Sequence, residues 1–203
     1  MKSYNYNYSR KSKGLMMRVS FLFLLCLLSV TVSFAQVQPT EPDKSPLDIS
    51  YSPNGYPVLK FQTKKFDTKV NARVLYSRPQ VKGRDIFGGE LKYGELWRLG
   101  ANESTEIELF KPAMIGGKKI PKGRYTMYCI PAENNWTIII NKDTDSWGGF
   151  NYKQELDVVR TTIPVSKTDA PVEYLTMYFD TPNNLVIMWA NVKASLPVQF
   201  VNP

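Results

Sequence analysis

The stretch AMIGGKKIPKGRYTMYCIPAENNWTIIIN, residues 113–141, decides the fold. Ala113-Met114-Ile115, then Gly116-Gly117, then Lys118-Lys119-Ile120 reads as a tight hairpin, because two adjacent glycines accept the positive φ values that a two-residue turn demands. A second hairpin follows: residues 123–130 form one arm, Glu133-Asn134-Asn135 the turn, and residues 136–141 the other arm. Tyr125, Met127 and Cys129 fall on one face of the first arm, so Cys129 reads as a small buried apolar side chain.

The same period of two extends outward in both directions. Val70, Ala72, Val74 and Tyr76 share a face, and Ile107 and Leu109 continue the pattern after a polar segment. Later runs at 156–165, 172–180, 185–191 and 198–201 bring the total to eight or nine short strands, and no twelve-residue window carries a helical stripe. Evenly spaced short strands with turn signals between them predict an all-β domain, a single antiparallel β-sandwich or jelly roll. Residues 186–189 are apolar on both faces, which places them in the middle of a sheet or under a covering loop.

The N terminus has a different logic. Lys2, Arg10, Lys11, Lys13 and Arg18 precede the apolar residues 19–32, and Ser33-Phe34-Ala35 ends the run, so residues 1–35 are expected to be a signal peptide cleaved after Ala35. That apolar core is shorter than the roughly 20 residues a span requires, so no transmembrane segment is expected after cleavage. Cys26 lies among leucines and reads as one more apolar residue of that core. The expected compartment is the periplasm or the exterior.

Removing five basic and no acidic residues takes the net charge from +8 to +3, which gives no reason to expect nucleic-acid binding. Only Cys129 remains, so no intramolecular disulfide can form, and stability must come from packing. The chain has no histidine. That excludes imidazole bases and imidazole metal ligands, and no cofactor or metal is expected. Residues 36–56, rich in Pro, Ser, Asp and Asn, read as a flexible linker, and 57–203 as the domain.

Between the strand ending at Ser77 and the one near Ser104 lies a segment of about 25 residues, too long for a routine connection. Its motifs are Tyr76-Ser77-Arg78-Pro79, Val81-Lys82-Gly83-Arg84, Ile86-Phe87-Gly88, Tyr93-Gly94, Trp97-Arg98 and Gly100-Ala101-Asn102, joined later by Trp147-Gly148. In order and spacing they resemble the bacterial family called domain of unknown function 2911, over a core of residues 66–191. The family pattern carries Thr, Pro and Ala where this chain has Leu99, Lys92 and Ser104, so no role needing a hydroxyl at position 99 carries over. The resemblance implies the fold and assigns no activity.

Two readings of the long loop stand side by side. In one, Arg78, Lys82, Arg84, Trp97, Arg98 and Asn102 form a pocket for a small anionic or sugar-like ligand, since guanidinium forks match carboxylates and an indole face packs on a sugar ring. In the other, Arg78 and Arg98 fasten the loop to carbonyls and carboxylates while Trp97 plugs the core. Glu103, Glu106 and Glu108 raise a glycoside hydrolase reading, in which two carboxylates stand about 5 to 9.5 Å apart. Alternating Glu opposite Ile107 and Leu109 is also the pattern of an exposed strand face. Residues 141–148 begin like a calcium loop, but Ser146 stands where the glycine belongs and Tyr152 where the bidentate Glu belongs. The expected function is a non-catalytic module binding a ligand, glycan or envelope protein through residues 78–103. A carboxylate-dependent glycan hydrolase and a structural envelope component are the alternatives.

Overall fold

The computed structural model describes residues 40–201, so the expected signal peptide lies outside the described residues. Every ladder between named strands is antiparallel. Seven strands form one sheet in the order β1-β2-β3-β6-β7-β8-β9, and three form a second in the order β10-β4-β5. The strands are β1 (Leu47–Ser52), β2 (Ala72–Ser77), β3 (Glu106–Leu109), β4 (Ala113–Ile115), β5 (Lys118–Ile120), β6 (Gly123–Pro131), β7 (Asn135–Asn141), β8 (Asp157–Phe179), β9 (Asn184–Pro197) and β10 (Gln199–Phe200). Among the described residues no helix is long and apolar enough to cross a membrane.

The hairpin of β4 and β5 turns through Gly116 and Gly117 at φ 57° and 76°. A Cβ on Gly116 would stand 2.6 Å from Cβ of Thr161, so glycine is required there by space as well as by backbone. The β6–β7 hairpin pairs Thr126 with Asn141 through to Pro131 with Trp136. Met127, Cys129, Ile138 and Ile140 face the core. Tyr128 faces the other way and is still buried, with Tyr152 edge-on to it at 5.1 Å.

Three features depart from the sequence expectation. Residues 36–56 were expected to be linker, yet Leu47–Ser52 is strand β1, paired with β2 from Leu47↔Ser77 to Ser52↔Ala72. Its polarity is inverted: Leu47 and Ile49 are exposed, whereas Ser50 and Ser52 are buried. A strand whose polar side points inward carries no amphipathic signature of the usual sign. The second departure is helix α1 (Tyr56–Thr63), too short for a twelve-residue stripe, which buries none of its residues and starts with Pro57 in the first turn, where a missing N–H does no harm.

In the third, runs 156–165 and 172–180 are one strand. The first part of β8 pairs with β7 and the rest with β9. Register shifts at Lys167/Val172 and Val172/Thr176 leave extra residues on β8 and bend it. The bend brings the far half of β8 back to the start of the sheet: the Leu175 N–H donates to Pro79 O at 3.0 Å and the Val81 N–H to Glu173 O at 2.8 Å. The sheet therefore curls around a single core from Ala72 to Val198.

Tyr76 closes this curl. Its hydroxyl donates to Met177 O at 3.2 Å and accepts from the Met177 N–H at 3.1 Å. Burial pushes the phenol above its ordinary pKa. Tyr76→Phe leaves two backbone groups of β8 without a partner, and urea unfolding at pH 7 is expected to show a loss of about 1–3 kcal/mol. A raised folded-state pKa means that this contribution is complete below about pH 10 and is lost as pH rises through the folded pKa. The stability of Tyr76→Phe should accordingly fall less steeply above pH 10 than that of the parent.

Candidate functional site

The long connection between β2 and β3 is a built part of the sheet. β6 has nine residues and β3 only four, so β3 can pair with β6 no further than Thr126. Loop residues take over from there. The Met127 N–H donates to Thr105 O at 2.8 Å, Trp97 and Cys129 exchange backbone bonds of 2.7 and 2.8 Å, and the Gly94 N–H donates to Pro131 O at 2.9 Å. Ser77 Oγ donates to Ala101 O and accepts from the Ala101 N–H, tying the loop to the end of β2.

Trp97 is 4% exposed. Its ring stacks on Trp189 at 5.9 Å and meets Trp136 and Phe87 edge-on, and its Nε1–H donates to Gly100 O at 3.1 Å. The indole is therefore enclosed by other aromatic rings within the core. Leu99 is fully buried at φ 59°, with its carbonyl accepting from the Thr105 hydroxyl at 2.8 Å.

Arg78 is likewise committed. It donates to Leu175 O at 3.1 Å, to Thr176 Oγ1 at 3.0 Å and to Asp48 Oδ2 at 3.1 Å, and lies over the Tyr174 ring. It clasps β1, β2 and β8 together. Arg98 is half-buried, and its Nε has no hydrogen-bond partner among the described residues. Burial lowers its pKa. Asn102 holds a positive φ of 58°, donates its amide to Asp43 at 2.9 Å and accepts the Gly148 N–H on its carbonyl at 2.9 Å.

Lys82 and Arg84 point the other way, into solvent. Arg84 forms an ion pair with Glu90 at 2.6 Å and donates to Val81 O at 3.0 Å. It stands on a cleft of about 530 Å³ between residues 81–93 of the loop and the bent part of β8 with β9. Val81, Ile86, Phe87, Val165, Ala190 and Val192 supply the apolar lining. Arg84, Tyr93, Lys167, Asp85, Glu133 and Glu173 supply the charged and hydroxyl groups, with Asn134, Ser166 and Asn191 beside them. Of the six expected ligand residues, only Arg84 lines this cleft. Tyr93 was already visible in a loop motif, but the β8 and β9 residues are some 80 to 110 positions away in the chain and carry no local signal.

The carboxylate candidates do not converge. Glu106 accepts the Asp145 N–H at 2.7 Å and pairs with Arg124 at 3.4 Å; Glu108 pairs with Arg73 at 2.7 Å. Glu103 is exposed and bridges to Trp147 through its backbone. None of the three lines the cleft. In the loop that begins like a calcium site, the Asn141 amide donates to Lys153 O at 2.9 Å and Asp157 at 2.7 Å, closing the loop with protein groups. Among the described residues no three His, Cys, Asp or Glu side chains gather to hold a metal ion.

Two outcomes follow from this placement. Trp97→Ala removes an indole packed against three other aromatic rings, and urea denaturation is expected to show a loss of about 3–5 kcal/mol. Cys129 is fully buried and burial pushes its thiol well above the ordinary value, so it should resist a thiol reagent such as Ellman's at pH 8 in the folded chain and react fully in denaturant.

No curated protein and no solved structure matches the chain. A family model described as protein of unknown function (DUF2911) matches residues 59–198, from within α1 to the residue before β10. With well over half of its length matched, the chain belongs to that family.

Proposed function

We propose that the chain is an exported, non-catalytic binding module, and that the cleft beside Arg84 takes a small, polyhydroxylated, sugar-like ligand. The observation that carries this reading is the cleft's lining. Its volume of about 530 Å³ falls within the range of small-molecule sites. Two cationic and three anionic side chains stand around it, and Arg84 is already paired with Glu90, so no surplus of positive charge draws an anion. Amides and hydroxyls of Asn134, Ser166, Asn191 and Tyr93 match a ligand with many hydroxyl groups, and the apolar floor matches its C–H faces. Export draws its support from the basic, apolar and Ser33-Phe34-Ala35 pattern of the N terminus. A hydrolase at Glu103 and Glu106 draws none, because Glu106 is held by Arg124 and the Asp145 N–H and neither carboxylate lines the cleft.

Phe87 lines the cleft and touches the rings of Trp97, Trp136 and Trp189, so a bound ligand should register in tryptophan emission. Titration with a panel of neutral mono- and disaccharides is expected to give a saturable change with at least one of them. Tyr93→Ala should weaken it at least tenfold while leaving the urea midpoint in place, because Tyr93 is an exposed side chain. No saturable change across the panel, or equal binding by folded Tyr93→Ala, defeats the reading.

A further inference from the structure

We propose a second binding surface, independent of the cleft beside Arg84: Trp147 and Phe150 form a rigid platform on which one ring of a neutral glycan chain stacks. Trp147 is 61% and Phe150 80% exposed, and their rings stack on each other, 17° from parallel with centroids 5.9 Å apart, so a sugar ring would lie on an outward face of the pair. Two large aromatic side chains on one loop tip are a standing cost to a protein with no partner for them. They edge a separate cleft of about 450 Å³ whose polar lining includes Asp143, Asp145, Ser146 and Asn151, with Tyr128 also contributing.

The platform is held in place before any ligand arrives. The Ser104 N–H donates to Ser146 O at 2.9 Å, Ser104 Oγ donates to Gly148 O at 2.6 Å, and the Gly148 N–H donates to Asn102 O at 2.9 Å. Asn141 closes the base of the loop through Lys153, Asp157 and the Asp143 N–H. Gly148 sits at φ 70°, where a Cβ would come within 2.8 Å of the Phe150 ring. Glycine at that point lets Phe150 fold back beside Trp147. A surface fixed in this way loses little conformational entropy on binding.

The occupant follows from chemistry. A pyranose presents a face of C–H groups that lies on an aromatic ring, with hydroxyls around its edge that donate to carboxylates and amides such as those of Asp143, Asp145 and Asn151. Carboxylates lining the cleft disfavour a phosphodiester or another polyanion. A cation gains little either, because Arg124 already occupies Asp145. The ligand that remains is uncharged, ring-shaped and rich in hydroxyls.

Isothermal titration of the purified chain with xylohexaose, mannohexaose, cellohexaose and laminarihexaose tests this, with polygalacturonate as the anionic comparison. Binding of at least one neutral hexasaccharide is expected, weakened at least tenfold by Trp147→Ala and by Phe150→Ala and retained by Tyr93→Ala. Trp147 and Phe150 lie outside the core, so both variants should keep the urea midpoint of the parent. Gly148→Ala should weaken the same binding by displacing Phe150. No heat with any neutral hexasaccharide, equal affinity in folded Trp147→Ala, or binding confined to polygalacturonate overturns the proposal. Loss in Tyr93→Ala as well as Trp147→Ala overturns the independence of the two surfaces. Failure of the cleft alone would leave the hexasaccharide result untouched.

Discussion

The insertion of Trp97 into the core is the contact on which the rest of the structure depends. Its backbone pairs with Cys129 where β3 has run out, and its indole completes an aromatic cluster with Phe87, Trp136 and Trp189. Hydrogen bonding and packing act at the same residue, so a connection of more than twenty residues adopts a defined path over the sheet. Without that anchor, the Cys129 N–H and carbonyl would lack partners on that side of β6, and the aromatic rings of β7 and β9 would face a void.

A fixed loop then serves two surfaces. Its early part, around Arg84 and Tyr93, forms one wall of the larger cleft, and the bend of β8 forms the other. Its late part, at Asn102 and Ser104, hydrogen-bonds the tip that carries Trp147 and Phe150. Both surfaces are thus tied to the sheet by backbone hydrogen bonds. The side chains divide accordingly. Arg78 and Trp97 hold the molecule together, whereas Arg84, Tyr93 and Trp147 are exposed.

Much of the fold was legible because burial on one face imposes a period of two. The β4–β5 and β6–β7 hairpins fall where glycine pairs, asparagines and alternating apolar residues place them. β1 was not legible, since its inward residues are Ser50 and Ser52 and its apolar ones face out. Neither was the continuity of β8, because the polar residues 166–169 with Pro171 after them mark a bend within a strand as readily as a turn between two. For the candidate site, the sequence offered a loop and its residue types, but an arginine that clasps strands and an arginine that edges a cleft have the same side chain.

By itself, then, the sequence determined the class of fold, the hairpins, the anomalous length of the β2–β3 connection and, through the missing histidine, the chemistry that is ruled out. Those properties are local or compositional, and alternation, turn residues and residue counts carry them. Tertiary structure alone decided which way each loop side chain points, that Arg78 meets Asp48 and Thr176, and that Arg84 shares a cleft with residues of β8 and β9. The reason is physical: those partners come together only when the bent strand curls the sheet closed, and no short window of sequence records a contact made across that distance.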